Sequence, residues 1–208
     1  NLDLAIENDP KNATAWLWRG ITLLDLCFFV KAVADLEQCL QIDPGYLICS
    51  QYLATSLLAQ GQIEAAVKHF ESTFENNFHS TDESFVSYYV HSGQRNMALL
   101  IAALGVRRQF APVRDWIEAI EKPLEDHTAR AERFNQWGAT HNITVCDINE
   151  VAVALRQEDC FSIVGNANMI WHPDSAYYRK KPAFKEFVNT HLMEYWQQNG
   201  FPPQCREL

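Results

Sequence analysis

With 208 residues, 48% of them hydrophobic and 12% aromatic, the chain has ample apolar surface for a stable core, which excludes a disordered segment. Its 26 acidic residues against 17 basic ones leave a formal net charge of −9, which argues against a surface that grips nucleic-acid phosphates and points to protein or small-molecule partners. No apolar run approaches the roughly 20 residues of a membrane-spanning helix, and the stretch 98–106 falls far short of it.

The first stretch, LDLAIENDP, reads as the tail of a helix that ends at Pro10. The chain opens without Met or a charged-then-apolar leader, so no targeting peptide is visible, and the helix tail at its start leads us to expect a piece of a longer polypeptide. A helix is expected from about Asn12, whose side chain can accept from first-turn amides, to about Cys27. A partner follows over 30–42, with Leu36 and Leu40 on one face, and Asp43-Pro44-Gly45 ends it. A second pair spans roughly 47–59 and 63–75, divided at Gly61, the expected turn residue.

Ser80 and Glu83 form a capping box that opens a third pair. Phe85, Tyr88 and Tyr89 fill its first helix, Gly93 repeats the turn of Gly61, and 97–104 supplies an Ala-rich second helix. Beyond it, Pro112 begins a helix through Ile120, and 124–137 reads as another with Phe134 and Trp137 on its apolar face. Asp147 and Glu150 make a further capping box before 151–157. ITVCDI at 143–148 is too short to argue for a strand, so an all-α fold is expected.

A fixed interval organises the first part of the chain. Trp16, Gly20, Leu23, Ala32, Leu36, Cys39 and Pro44 are followed thirty-four residues later by Ser50, Ala54, Leu57, Ala66, Phe70, Thr73 and Phe78. Small residues recur where paired helices would cross closely, and such a period marks a repeat architecture. Leu2, Ala5 and Pro10 lie thirty-four before Leu36, Cys39 and Pro44, so the opening stretch fits the same register.

On these residues the chain resembles the tetratricopeptide repeat (TPR) family, whose helix-turn-helix unit has this length. The second unit departs from the family at Ser50, Thr73 and Phe78. The resemblance implies an α-solenoid of antiparallel helix pairs over 1–110, the first pair truncated, continuous with divergent helices and a closing segment over 111–208. It also implies a protein or peptide partner in a concave groove lined by the first helix of each pair. One-turn spacing assigns Thr14, Leu17, Ile21 and Leu24 to that groove in the first unit and Gln51, Thr55 and Leu58 in the second. None of these is the Lys, Arg or Asn of a carboxylate clamp, so the groove reads as apolar to neutral, suited to a helix or extended apolar segment. The chain's own later helices are an equal candidate to fill it, and self-association is a further possibility.

The stretches 170–188 and 194–205 are similar to the closing segment of bacterial TPR proteins related to CadC-type winged-helix transcriptional regulators and TPR-bearing adenylate cyclases. The similarity rests on Trp171, Pro173, Arg179, Pro182, Phe184, Phe187, Tyr195, Trp196, Gly200, Pro202 or Pro203, and Cys205. It implies the regulatory part of a larger protein whose DNA-binding or cyclase domain lies elsewhere, with no direct nucleic-acid contact from this region; a free-standing scaffold or chaperone-like adaptor is the alternative. Physically, Trp171, Phe184, Phe187, Tyr195 and Trp196 are expected to form a structural cap on the last layer of the solenoid, with Phe201 laid back against the helix after Gly200.

No catalytic constellation stands out, and no cofactor or metal site is expected. There is no Gly-rich phosphate loop, GxSxG or HExxH, and 165–171 holds one Gly only. His172, beside Asp174, reads as a structurally hydrogen-bonded side chain, and the carboxylates around Pro123 and the basic triplet 179–181 read as solvated surface. The six cysteines show no CxxC and no framework spacing. All six are therefore expected to be free buried thiols, which places the chain in the cytoplasm, or in the periplasm if the parent is a membrane-anchored regulator.

Overall fold

A computed structural model describes residues 2–75, 85, 88–89, 92–94, 96–98, 127–139, 170–171 and 173–205. The described residues are helical and contain no strand. Five helices come first: α1 (Leu2–Asn8), α2 (Ala13–Asp25), α3 (Phe29–Ile42), α4 (Leu47–Ala59) and α5 (Ile63–Glu75). After them come α6 (His127–Ala139), a 3-10 stretch (Pro173–Lys180), α7 (Pro182–Phe187), a π turn (Val188–Leu192), α8 (Met193–Asn199) and a terminal 3-10 turn (Pro203–Cys205). The chain clusters into two units, one made of residues 1–80 and 167–208, the other of 81–166.

In the first unit the thirty-four-residue register governs the helices themselves. From Ala13 to Leu47 and from Asp25 to Ala59 are equal steps, so α4 repeats α2 from end to end. Phe29 to Ile63 starts α5 one period after α3, and Asn8 to Ile42 ends α3 one period after α1. From α1 to α5 each helix packs on the next, and α2 also meets α4.

The crossings use the small residues of the pattern. A β-carbon on Gly20 would stand 2.8 Å from Leu36 Cγ and 3.4 Å from the Ala32 carbonyl, so α2 and α3 touch nearly backbone to side chain there. Ala32, Leu36, Ala66 and Phe70 are buried, as is Ala54, the counterpart of Gly20.

Asn12 caps α2 by accepting the Ala15 amide at 3.0 Å, as expected of that residue. The turns between paired helices share one device. Cys27 has φ +69°, Gly61 φ +80° and Gly93 φ +76°. In the first, the Phe28 amide reaches the Leu23 carbonyl at 2.8 Å and the Cys27 amide reaches the Leu24 carbonyl at 3.0 Å. The Gln62 and Gly61 amides do the same to Leu57 and Leu58, both at 2.9 Å, and the Gln94 amide bonds the Tyr89 carbonyl at 2.8 Å. This is the Schellman closure of a helix, which needs a left-handed residue just past the end. Two of the three positions carry Gly; the first carries a β-carbon.

An ion pair joins the first three helices. Arg19 donates through Nε to Asp35 Oδ2 at 2.7 Å and through Nη2 to Oδ1 at 2.9 Å, while Nη1 reaches Asp3 Oδ1 at 2.9 Å. Its guanidinium also lies over the Trp16 ring. Asp35 is buried, so the fork satisfies a carboxylate that would otherwise destabilise the core.

In the second unit Phe85, Tyr88, Tyr89, Met97 and Ala98 are helical on either side of the Gly93 turn, and α6 covers most of the helix expected over 124–137. The side chains of Phe134 and Trp137 lie outside the described set. So do the capping boxes at 80–83 and 147–150, the helix from Pro112, the stretch 143–148, Gly165, His172, Cys146 and Cys160.

Four cysteines overturn the expectation of free thiols: Cys27 is bridged to Cys205 and Cys39 to Cys49. Spacing in sequence failed because both pairs are made by packing. Cys39, on the last turns of α3, faces Cys49, on the first turn of α4, across the antiparallel joint at 43–46. Cys27 and Cys205 are 178 residues apart and meet only because the end of the chain folds back onto the α2–α3 turn.

Candidate functional site

Helix α2 ends at Asp25, so its last carbonyls have no partner inside the helix. Two tryptophans supply partners. Trp171 Nε1 donates to the Asp25 carbonyl at 3.1 Å, and Trp196 Nε1 donates to the Leu26 carbonyl at 2.9 Å. The rings around them interlock: Phe29 meets Trp171 with centroids 5.8 Å apart, Trp171 meets Phe184 at 5.7 Å, and Phe28 meets Tyr195 at 6.0 Å, all edge to face. The Cys27–Cys205 bridge closes the same junction.

The closing segment owes its shape to local chemistry. Pro182 occupies the first turn of α7, where its missing N–H costs nothing. Phe184, Phe187, Val188, Leu192 and Trp196 form the buried face, and the π turn at Val188–Leu192 shifts that face so that Leu192 and Trp196 continue inward. Gly200, with φ +89°, ends α8 and returns Phe201 to within 5.9 Å of the Trp196 ring. Arg179 donates to the Ile170 carbonyl and ties the 3-10 stretch to the residue before Trp171.

The five aromatics expected as a structural cap thus come together, with Trp171, Phe184, Phe187 and Trp196 buried and Tyr195 at the rim. Their place differs from the expectation. They cover the α2–α3 turn of the first pair, not a last layer, because the open carbonyls of α2 and the rings of Phe28 and Phe29 offer both polar and apolar partners there.

Of the residues expected to line a groove, Leu17, Leu24, Thr55 and Leu58 are buried and present no surface; Thr55 Oγ1 donates to its own helix at the Gln51 carbonyl. Thr14 is exposed, with Oγ1 3.3 Å from the Tyr46 hydroxyl, and Ile21 and Gln51 are half-buried. The outer face carries two apolar residues not singled out from sequence, Trp18 at 55% and Ile48 at 45% exposure. Thr14 and Ile48 are register equivalents, as are Trp18 and Tyr52, so the two first helices show corresponding strips. Trp18 was hidden by its neighbour Leu17, since adjacent apolar residues do not say which one faces inward.

Polar chemistry elsewhere is limited. Ser50 Oγ and His69 Nε2 are 2.9 Å apart and join α4 to α5; burial holds the imidazole below its ordinary pKa, opposed by Ser50 and the charge of Glu37. Burial pushes the Asp25 carboxyl up to about 6. Among the described residues no group of three or more His, Cys, Asp or Glu side chains stands close enough to hold a metal, and no helix is long and apolar enough to cross a membrane.

Compared with family models, with curated proteins and with solved structures, the chain matches none.

Proposed function

We propose that the chain is a TPR-type α-solenoid segment that acts, without catalysis, as a protein-interaction or sensory domain, and that it is the regulatory part of a larger bacterial transcriptional regulator. The observation that carries the reading is the register: α2 and α3 recur as α4 and α5 one thirty-four-residue step later, with a left-handed turn residue at the same place in each pair. A repeat of helix pairs presents equivalent side chains at equal intervals, which suits recognition of an extended or helical partner. The strips around exposed Thr14 and Trp18 on α2 and around exposed Ile48, beside half-buried Gln51, on α4 are the surface we assign to that partner.

The two bridges favour an oxidising compartment, so within this reading the domain works on the periplasmic side of a membrane-anchored regulator rather than in the cytoplasm. The resemblance of the closing segment to those regulators, on Trp171, Arg179, Phe184, Tyr195, Trp196 and Cys205, supports the same assignment.

Crosslinking in source cells tests the surface. Trp18→Glu with Ile48→Glu changes two exposed side chains and should leave the melting temperature within 2–3 °C, on the order of an ordinary surface change, while a partner crosslinked to the wild type is lost. Identical crosslinks in both would overturn the assignment. The regulator reading is tested by the coding sequence ahead of Asn1: a winged-helix or cyclase domain there supports it, and a native start codon just ahead of Asn1 refutes it.

A further inference from the structure

We propose that the Cys27–Cys205 bridge is a thiol-controlled clasp that decides whether the closing segment stays on the α2–α3 turn. The first observation is the backbone. Cys27 stands in the left-handed conformation at the place where the next two turns carry Gly61 and Gly93. A β-carbon there is unfavourable, and such a residue persists when its side chain has a separate use. The use visible here is the bond to Cys205.

The second observation is what remains when that bond is removed. Trp171 and Trp196 hold carbonyls at the end of α2 that water reaches once the closing segment lifts. Tyr195 and Phe201, at 37% and 41% exposure, lie at the rim of the junction. The π turn at Val188–Leu192 interrupts the regular ladder of the segment between α7 and α8. Docking of α8 therefore rests on the buried side chains of Leu192 and Trp196 and on one covalent link that spans 178 residues. Cys39–Cys49, ten residues apart, only joins neighbouring helices and has no such leverage.

The chemistry is ordinary exchange with a dithiol donor. A thiolate of the donor attacks one sulfur of the bridge, and the Cys27–Cys205 bond breaks as a mixed disulfide forms. The donor's second thiol then resolves it. Two electrons pass to the bridge, the donor leaves as its own disulfide, and the two protons end on Cys27 and Cys205. Both cysteines are buried, so attack proceeds when the terminal Pro203–Cys205 turn lifts. Opening uncovers Phe28, Phe29 and the end of α2.

Hydrogen exchange on the full chain tests the clasp, with Cys205→Ser removing this bridge and leaving Cys39–Cys49 intact. We expect amides of Met193–Asn199 to exchange about 10²-fold faster in the variant, the scale of an average disulfide's contribution, while those of α4 and α5 change by less than about threefold. Cys27→Gly, which suits the left-handed turn, should reproduce the loss in α8 without disturbing α2 and α3. Unchanged protection of α8 in both variants would overturn the proposal. So would an equal loss across α4 and α5, which makes the bridge a staple of the whole unit rather than a local clasp.

Discussion

Trp196 donates its indole N–H to the carbonyl of Leu26 at 2.9 Å, across 170 residues of sequence. One side chain from the end of the chain thus satisfies the end of a helix near its beginning. The hydrogen bond fixes where the ring sits, and the burial of that ring against Phe201 and the neighbouring apolar side chains supplies most of the energy.

Two substitutions separate those terms. Trp196→Ala should destabilise the first unit by roughly 3–5 kcal/mol, the range for a buried large aromatic. Trp196→Phe keeps much of the ring and loses the donor, leaving the Leu26 carbonyl to water, and should cost about 1–2 kcal/mol. Denaturant unfolding distinguishes them; equal small losses would show that the ring is not packed.

The helix crossings give a second expectation. Ala66 is fully buried at the place that Ala32 occupies in the preceding pair, where α3 approaches Gly20. Ala66→Leu adds three carbons to a close contact and should cost about 1–3 kcal/mol by overpacking. An unchanged thermal midpoint would mean that α4 and α5 do not cross there.

The register was legible because helix pairing converts a period of thirty-four into repeated small, large and turn positions. Gly20, Ala54, Ala32 and Ala66 announced their crossings, and Asn12 its cap. The turn at Cys27 was legible in principle, since Gly61 lies one period later, but a cysteine at a glycine position does not declare a left-handed backbone. Disulfide pairing and the place where the closing segment docks were not legible, although the gathering of its aromatics was. They depend on which surfaces remain open once the helices have packed, and no local pattern encodes that. Inward and outward faces were not separable for a related reason: spacing puts Leu17 and Trp18 on nearby faces, and only packing shows that Leu17 is inside and Trp18 outside.

A pH dependence follows from Asp25, whose carboxyl is pushed up to about 6 by burial. Its folded value is above that of the unfolded chain, so between about pH 4 and 6 the folded state holds more protons and stability falls as pH rises. At pH 7 the half-buried carboxylate is charged and unfavourable. Asp25→Asn should remove this slope and stabilise the unit at pH 7 by about 1 kcal/mol after allowance for solvent screening. His69 acts in the opposite sense: its imidazole is held low, so its contribution is present above about pH 6.5 and is lost as pH falls. Thermal unfolding from pH 4.5 to 7.5 should therefore be read as the difference between Asp25→Asn and wild type at each pH. Parallel curves would contradict the assignment.

The ion pair of α2 and α3 has an asymmetric expectation. Asp35→Asn leaves Arg19 one neutral partner and the exposed Asp3, and should cost about 1–3 kcal/mol, because a bidentate charged pair is replaced by a single weaker bond. Asp3→Asn, at the exposed end of the same guanidinium, should cost less than about 0.5 kcal/mol. Equal effects would contradict the burial difference between the two carboxylates.

The end of the chain returns to the first helix pair, and peptide mapping of the non-reduced protein under denaturing, thiol-blocked conditions tests that return most directly. The predicted result is one linked peptide joining Cys27 to Cys205 and another joining Cys39 to Cys49. Alkylated, unlinked Cys27 and Cys205 in protein isolated under oxidising conditions, or either one linked to another cysteine, would contradict it.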